Sequence, residues 1–253
     1  MPQSSVLTIS DELLRNRGAF VARIESGEAT ALTAKTLLIT ILLSGAIFGG
    51  VVGANRGGLQ ILYAAIKIPF VVLITAALVT PVFSTVRIAI DGKTDLRRDT
   101  LLILASLALG SLVLVALSPV VLLCMKLEMS YHNLALVTVF CCAIGGLAGV
   151  GVFLRGLKAR EGTGKGWVFV AVAAAFLVVG AQASWTLRPY LLRPRTPDVV
   201  FVRALEGSFI ESVETSLNSA RGRYTRDYAP LPADVGPLRT RLSEPQTLGE
   251  ARP

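Results

Sequence analysis

Carboxylates are missing from the places where membrane chemistry would use them. The chain has 17 Asp and Glu residues among 253, and none lies inside its long apolar runs. Its single histidine, His132, sits in a short polar link between two runs and reads as exposed. A proton-coupled carrier ordinarily keeps a buried carboxylate or histidine on its proton path, so that class loses its usual residue. Cysteine is equally scarce. Cys124, Cys141 and Cys142 form no CxxC pair, and neighbours on one helix cannot face each other. Neither a disulfide framework nor a zinc site is indicated, and all three read as small apolar packing residues. No HExxH, GxSxG, Walker or GxGxxG pattern occurs, and no carboxylates pair at catalytic spacing within the apolar runs. The expectation is a protein that is not an enzyme, with no catalytic residue, metal or cofactor.

Charge as a whole is in short supply. Charged residues make up 17% of the chain, against about 25% in an ordinary soluble domain. Hydrophobic residues reach 53% and the mean hydropathy is +0.62. The shortage is localised, because long apolar runs alternate with short charged loops, which indicates a polytopic membrane protein. The net charge of +8 comes from Lys and Arg flanking those runs, a placement that suits anionic headgroups and argues against nucleic acid. The first thirty residues contain Asp11, Glu12, Glu25 and Glu28 and no continuous apolar core, so no signal peptide is read there.

What is present is a series of greasy segments. The longest runs from Leu59 to Ile90 and holds only two charges, Lys67 and Arg87. About 20 helical residues cross a hydrocarbon core, so Phe70 to Val86 is expected inside, with Leu59 to Ile68 leading in. Pro69 and Pro81 each remove a backbone donor and are expected to kink this helix, with Thr80, Ser84 and Thr85 satisfying the carbonyls released near Pro81. A bent, central helix is thus the expected organiser. The other runs are about 36–54, 101–123, 134–154 and 167–187. The predicted fold is all-α: a polytopic transmembrane bundle of about five spanning helices, with amphipathic helices before and after.

Four parts follow: 1–35, a cytoplasmic segment; 36–187, the membrane domain; 188–219, a juxtamembrane helix; and 220–253, a flexible Arg- and Pro-rich tail. Between Asp11 and Glu28 apolar residues recur at helical spacing, with Ser10 as N-cap. That helix either lies in the headgroup plane or packs on the protein's own loops. Gly45, Gly49, Gly50 and Gly53 in the first span, and Gly145, Gly146 and Gly149 in the fourth, offer faces where helix backbones approach closely. Packing of the first face against the proline-bearing helix is favoured over dimerisation, and Asn55 to Gly58 makes a tight turn. In the C-terminal helix Val199, Val202, Leu205, Phe209, Val213 and Leu217 form one stripe that must cover its own membrane domain, the bilayer or a partner. Basic residues cluster before the first helix and in the second and fourth loops. The positive-inside rule then places the N-terminus in the cytoplasm and the C-terminus outside.

The segments YAAIKIPFVVLITAALVTP at 63–81, SPVVLL at 118–123, GAQASWTLRPYL at 180–191 and ESVETSL at 211–217 resemble a family of uncharacterised bacterial five-helix membrane proteins, loosely Yip1-like. The resemblance covers about residues 13–217 of the sequence. It implies a five-helix architecture with a cytoplasmic N-terminus and a bacterial inner-membrane location, and transfers no catalytic residue.

Ionisable groups in a span are functional candidates by default. Here they are Lys67, Arg87 and Arg188. Lys67 either binds a lipid phosphate, faces an aqueous cavity, or snorkels its amine to the headgroups, the last being favoured. Gln182 is read as buried glue between helices. Three functions remain open. The first is a structural or accessory subunit, joined to protein partners or to itself through the glycine faces and the 199–217 helix. The others are an oligomeric channel or transporter with a path near Pro69–Pro81, and a lipid-binding or membrane-shaping protein.

Overall fold

Among the residues it describes, the computed structural model contains helices and no strand. Those residues are 6–29, 31–91, 95–158, 174, 176–182, 210, 213–214, 217–218 and 221. Six helices follow in order among them: α1 Val6–Arg15, α2 Arg17–Glu25, α3 Ala31–Gly53, α4 Leu59–Asp91, α5 Leu96–Lys126 and α6 Tyr131–Lys158. Among the described residues, four stretches have the length and hydropathy to cross a membrane: Ala31–Gly53, Leu59–Thr85, Leu96–Lys126 and Tyr131–Gly156. The protein is a multi-pass, all-helical membrane protein. The expected fifth crossing, about 167–187, lies mostly outside the described residues; Ala174 and 176–182 within it are helical. The expected helix of 188–219 is described only at five positions from 210 to 218, all helical, and the tail only at residue 221.

Local chemistry sets the element ends. Gly57 and Gly58 adopt positive φ, +79° and +58°, a region that side chains with a Cβ avoid. They let the chain reverse between α3 and α4 within the expected turn. Asp95 caps α5, accepting from the backbone N–H groups of Arg97 and Arg98 at 3.2 and 3.3 Å. Because of that cap α5 begins at Leu96, five residues before the apolar run, and draws Asp99 into its first turn. An acid there complements the positive end of the helix dipole. α6 likewise starts early, at Tyr131, with Ser130 Oγ accepting from the Asn133 N–H.

Both Pro69 and Pro81 sit inside the single helix α4. The hydroxyls near Pro81 do not serve the carbonyl of Ala77, the one a proline at that position deprives of its donor. Thr80 donates to Ala76 O at 2.7 Å and Thr85 to Pro81 O at 2.8 Å, while Ser84 turns away to Asp99.

The helix at the centre is α5. Its most apolar window is 67% buried within the chain, against 33% for α4, and it packs against α3, α4 and α6 as well as α1 and α2. The expectation that the proline-bearing helix organises the bundle therefore fails. Hydropathy reports affinity for apolar surroundings, and lipid meets that need as well as protein does. On α4, Leu62, Ile66, Phe70, Leu78 and Val82 are exposed.

The N-terminal segment forms two helices rather than one. Asn16 breaks it and caps α2 by accepting from the Ala19 N–H at 3.3 Å, so Ser10 lies within α1 instead of capping it. Ile9, Leu13, Phe20, Val21 and Ile24 join one apolar cluster with Leu37, Phe83, Leu102 and Phe153. Of the two placements expected for this segment, packing on the protein itself is the one observed, and it is the bundle end that receives it. Ser10 and Thr40 hydroxyls share a hydrogen bond of 3.2 Å. Arg97 donates to Ala29 O at 3.0 Å and Arg98 to Glu25 O at 2.8 Å, so α5 holds the end of α2 through its main chain.

Candidate functional site

Two glycine seams fix the register of the bundle. A methyl at Gly53 would lie 2.5 Å from Gln60 O, and one at Gly45 would lie 3.1 Å from Pro69 Cα; at Gly49 it would collide with the Ala64 carbonyl. α3 and α4 are thus antiparallel and in backbone contact. Gly50 stands aside, with only Ile61 Cγ2 at 3.8 Å. On the other side, a methyl at Gly110 would lie 2.9 Å from Gly145 O and one at Gly149 would lie 2.6 Å from Ser106 O. Gly146 faces the fifth segment instead, where a methyl on it would meet Leu177 Cδ2 at 3.3 Å. Small residues of this kind let dispersion and weak polar contacts act where lipid supplies no hydrophobic drive.

Within this frame Lys67 does not snorkel. Its side chain is 1% exposed and ranks among the largest fully buried ones. It belongs to a buried stripe on α4: Gln60, Ala64, Lys67, Val71 and Thr75, spaced as one helix face is. The span Leu59–Thr85 has its midpoint near residue 72. Lys67 is five residues away, about 8 Å along the axis, while the hydrocarbon edge is about 15 Å from the middle. The lysine is held inside the protein, within a candidate membrane span.

The glycine register gives its level. Gly45 meets Pro69 and Gly49 meets Ala64, so Lys67 stands at the height of Ser44 to Phe48 on α3. The bundle holds two apolar clusters at this point. One contains Ile41 and Leu109, the other Phe48 and Leu114. Ser44 falls between the α3 members and Ser111 between the α5 members, and both are buried. On α3 and on α5 a buried serine thus stands where one apolar cluster gives way to the other.

The remaining candidates lie elsewhere. Gln182 is exposed rather than buried. Arg188 and the side chain of Arg87 lie outside the described residues. Thr75 donates to Val71 O at 2.9 Å and touches the fifth segment, where a methyl at Gly180 would meet its Cγ2 at 3.8 Å. His132 is half-buried rather than open and meets the Tyr131 ring edge-on at 5.5 Å. Cys141 is buried, Cys124 half-buried and Cys142 exposed. Among the described residues, no group of three His, Cys, Asp or Glu could hold a metal.

Several buried polar residues escaped the sequence reading, Ser44 and Ser111 among them. Asp99 is fully buried at the start of α5 and accepts from Ser84 Oγ at 3.2 Å; its position one turn after the capping Asp95 was the available signal. Gln60 is fully buried at the start of α4, and its place on the Ala64–Lys67 face was the signal there. The protein so defined is a glycine-sealed, multi-pass membrane bundle with Lys67 buried inside a candidate span. No protein-family model, curated protein or solved structure matches the chain.

Proposed function

We propose that the protein is a structural or accessory subunit of the bacterial inner membrane, without catalysis of its own, that packs with partner proteins. One observation carries this reading. Five hydroxyls along the spans are occupied by their own helices: Thr75, Thr80, Ser106, Ser118 and Thr138 each donate to the carbonyl four residues earlier, at 2.7–3.2 Å. Together with backbone-tight seams, this is the economy of a bundle built to hold shape. Basic residues at the α1–α2 end support a cytoplasmic N-terminus by the positive-inside rule, and the resemblance to the Yip1-like bacterial family supports the location.

Purification in mild detergent followed by native mass measurement tests the proposal. An accessory subunit is recovered in a stoichiometric complex with further chains that survives dilution. Recovery of the lone 26.8 kDa chain with lipid and detergent only, from several gentle preparations, overturns it. A second reading, an oligomeric channel or transporter, is favoured by the burial of Lys67, since charges kept inside a span mark solute pathways. The lipid-binding alternative loses its lysine to the bundle interior.

A further inference from the structure

α1 sits deeper against the bundle than its charges suggest. The turn at Asn55 to Gly58, with Arg56 in it, ends α3 on one side of the membrane. A hydrocarbon core about 30 Å thick takes about 20 helical residues. Counted back from Ala54, that length reaches Lys35, which is exposed, as a lysine at a headgroup edge is. Thr40 lies five residues further in, about 7 Å below that edge. Its hydroxyl shares a hydrogen bond of 3.2 Å with Ser10, so α1 is held close to the same depth.

The two faces of α1 differ. Ile9 and Leu13 are buried in the cluster that includes Leu37 and Leu102. Asp11 and Arg15 pair at 2.6 Å with side chains 59% and 82% exposed, and Leu14 is exposed beside Arg15. A hydrocarbon interior would not hold that open ion pair. Water reaching down to Thr40 would leave only Thr40 to Ala54 to cross, about 22 Å against about 30 Å. The zone where headgroups meet acyl chains admits both requirements, and amphipathic helices settle about 5–10 Å into it. We infer that α1 is embedded in the leaflet on its own side of the membrane, at the headgroup–acyl boundary. Phospholipid on that flank then meets α1 in place of the first turns of α3, with acyl chains against Leu14 and headgroups over Asp11 and Arg15. The segment packs on the protein by one face and on lipid by the other. This placement depends on the bundle spanning a membrane, and neither on the accessory reading nor on which side is cytoplasmic.

The test uses the full chain in lipid nanodiscs, with Cys124, Cys141 and Cys142 replaced by alanine. One nitroxide is attached in turn through Leu14→Cys, Glu28→Cys and Leu43→Cys, all at exposed positions. Oxygen concentrates among acyl chains, whereas a nickel chelate stays in water. At Leu14 oxygen is expected to relax the label severalfold more than the chelate does, at a depth between those read at Glu28 and Leu43 and about 5–10 Å below the headgroups. A Leu14 label as open to the chelate as one at Glu28 overturns the inference. The native chain, unlabelled and with its own cysteines, gives a second measurement. A phospholipid with a photoactivated diazirine on the first carbons of its acyl chain is expected to mark peptides from α1 as well as from the spans. Marks confined to the spans overturn the inference too.

Discussion

Gly49 and Gly50 are neighbours in sequence and opposites in structure, and a methyl placed on each separates packing from everything else. At Gly49 the three atoms nearest the new Cβ would all be backbone: it would collide with Ala64 O and stand 2.7 Å from Ala64 C and 2.9 Å from Ala65 Cα. At Gly50 it would meet Ile61 Cγ2 at 3.8 Å, an ordinary contact. Glycine to alanine favours a helix by about 1 kcal/mol at either position, so that gain cancels in the comparison. What remains is overpacking against atoms that cannot rotate away, about 1–3 kcal/mol. Gly49→Ala should therefore melt below Gly50→Ala by roughly 3–10 °C for a chain of this size. Thermal denaturation in one detergent, followed by tryptophan fluorescence, reads the difference. If the two variants melt together, α3 and α4 do not touch at Gly49, and the register that sets the level of Lys67 is wrong.

Phe153 lies between Phe83 at 4.8 Å and Phe176 at 6.1 Å, so Phe153→Ala should cost about 3–5 kcal/mol in the same melt. Leu147→Ala, on an exposed side of the same helix, should cost little. Arg98→Ala removes the hydrogen bond to Glu25 O at 2.8 Å, worth about 1.5–3 kcal/mol for a charged donor; hydrogen exchange should rise across 17–25 more than across α5. Asp95→Ala removes the α5 cap and should cost about 1 kcal/mol, with faster exchange at the Arg97 and Arg98 amides. For orientation, a cysteine at Arg17 should react with an impermeant maleimide only from the cytoplasmic face and one at Glu128 only from the outer face; the reverse pattern refutes the assignment.

The parts readable from sequence were those that depend on one helix at a time. Run length gives the spans, and four-residue spacing of Gly45, Gly49 and Gly53 gives a face that can meet another backbone. Relations among helices were not readable in the same way. α4 and α6 are nearly as hydropathic as α5, yet half as buried. Lipid and protein interiors reward the same residues, so hydropathy does not distinguish the helix in the middle from those at the rim. Lys67 shows the same limit. Its distance from Leu59 leaves snorkelling open, and only the neighbours of its helix face decide that the amine stays inside. Asp95 and Asp99 look like loop acids in sequence, because cap geometry extends α5 past the end of its apolar run.

The central position of α5 links the two ends of the molecule with its middle. Its first turn carries Asp99 to Ser84 on α4 and the two arginines to the main chain of the α1–α2 segment. Its centre carries the Gly110 contact to Gly145 on α6 and, one residue further on, the buried Ser111. A sideways displacement of α5 would therefore disturb the N-terminal helices and the α6 seam together. α3 and α4, joined backbone to backbone, would stay a pair. A partner that moved α5 would thus reach both the N-terminal helices and α6, whereas one that gripped the exposed face of α4 would move Lys67 together with its glycine-sealed neighbour and leave their mutual register unchanged.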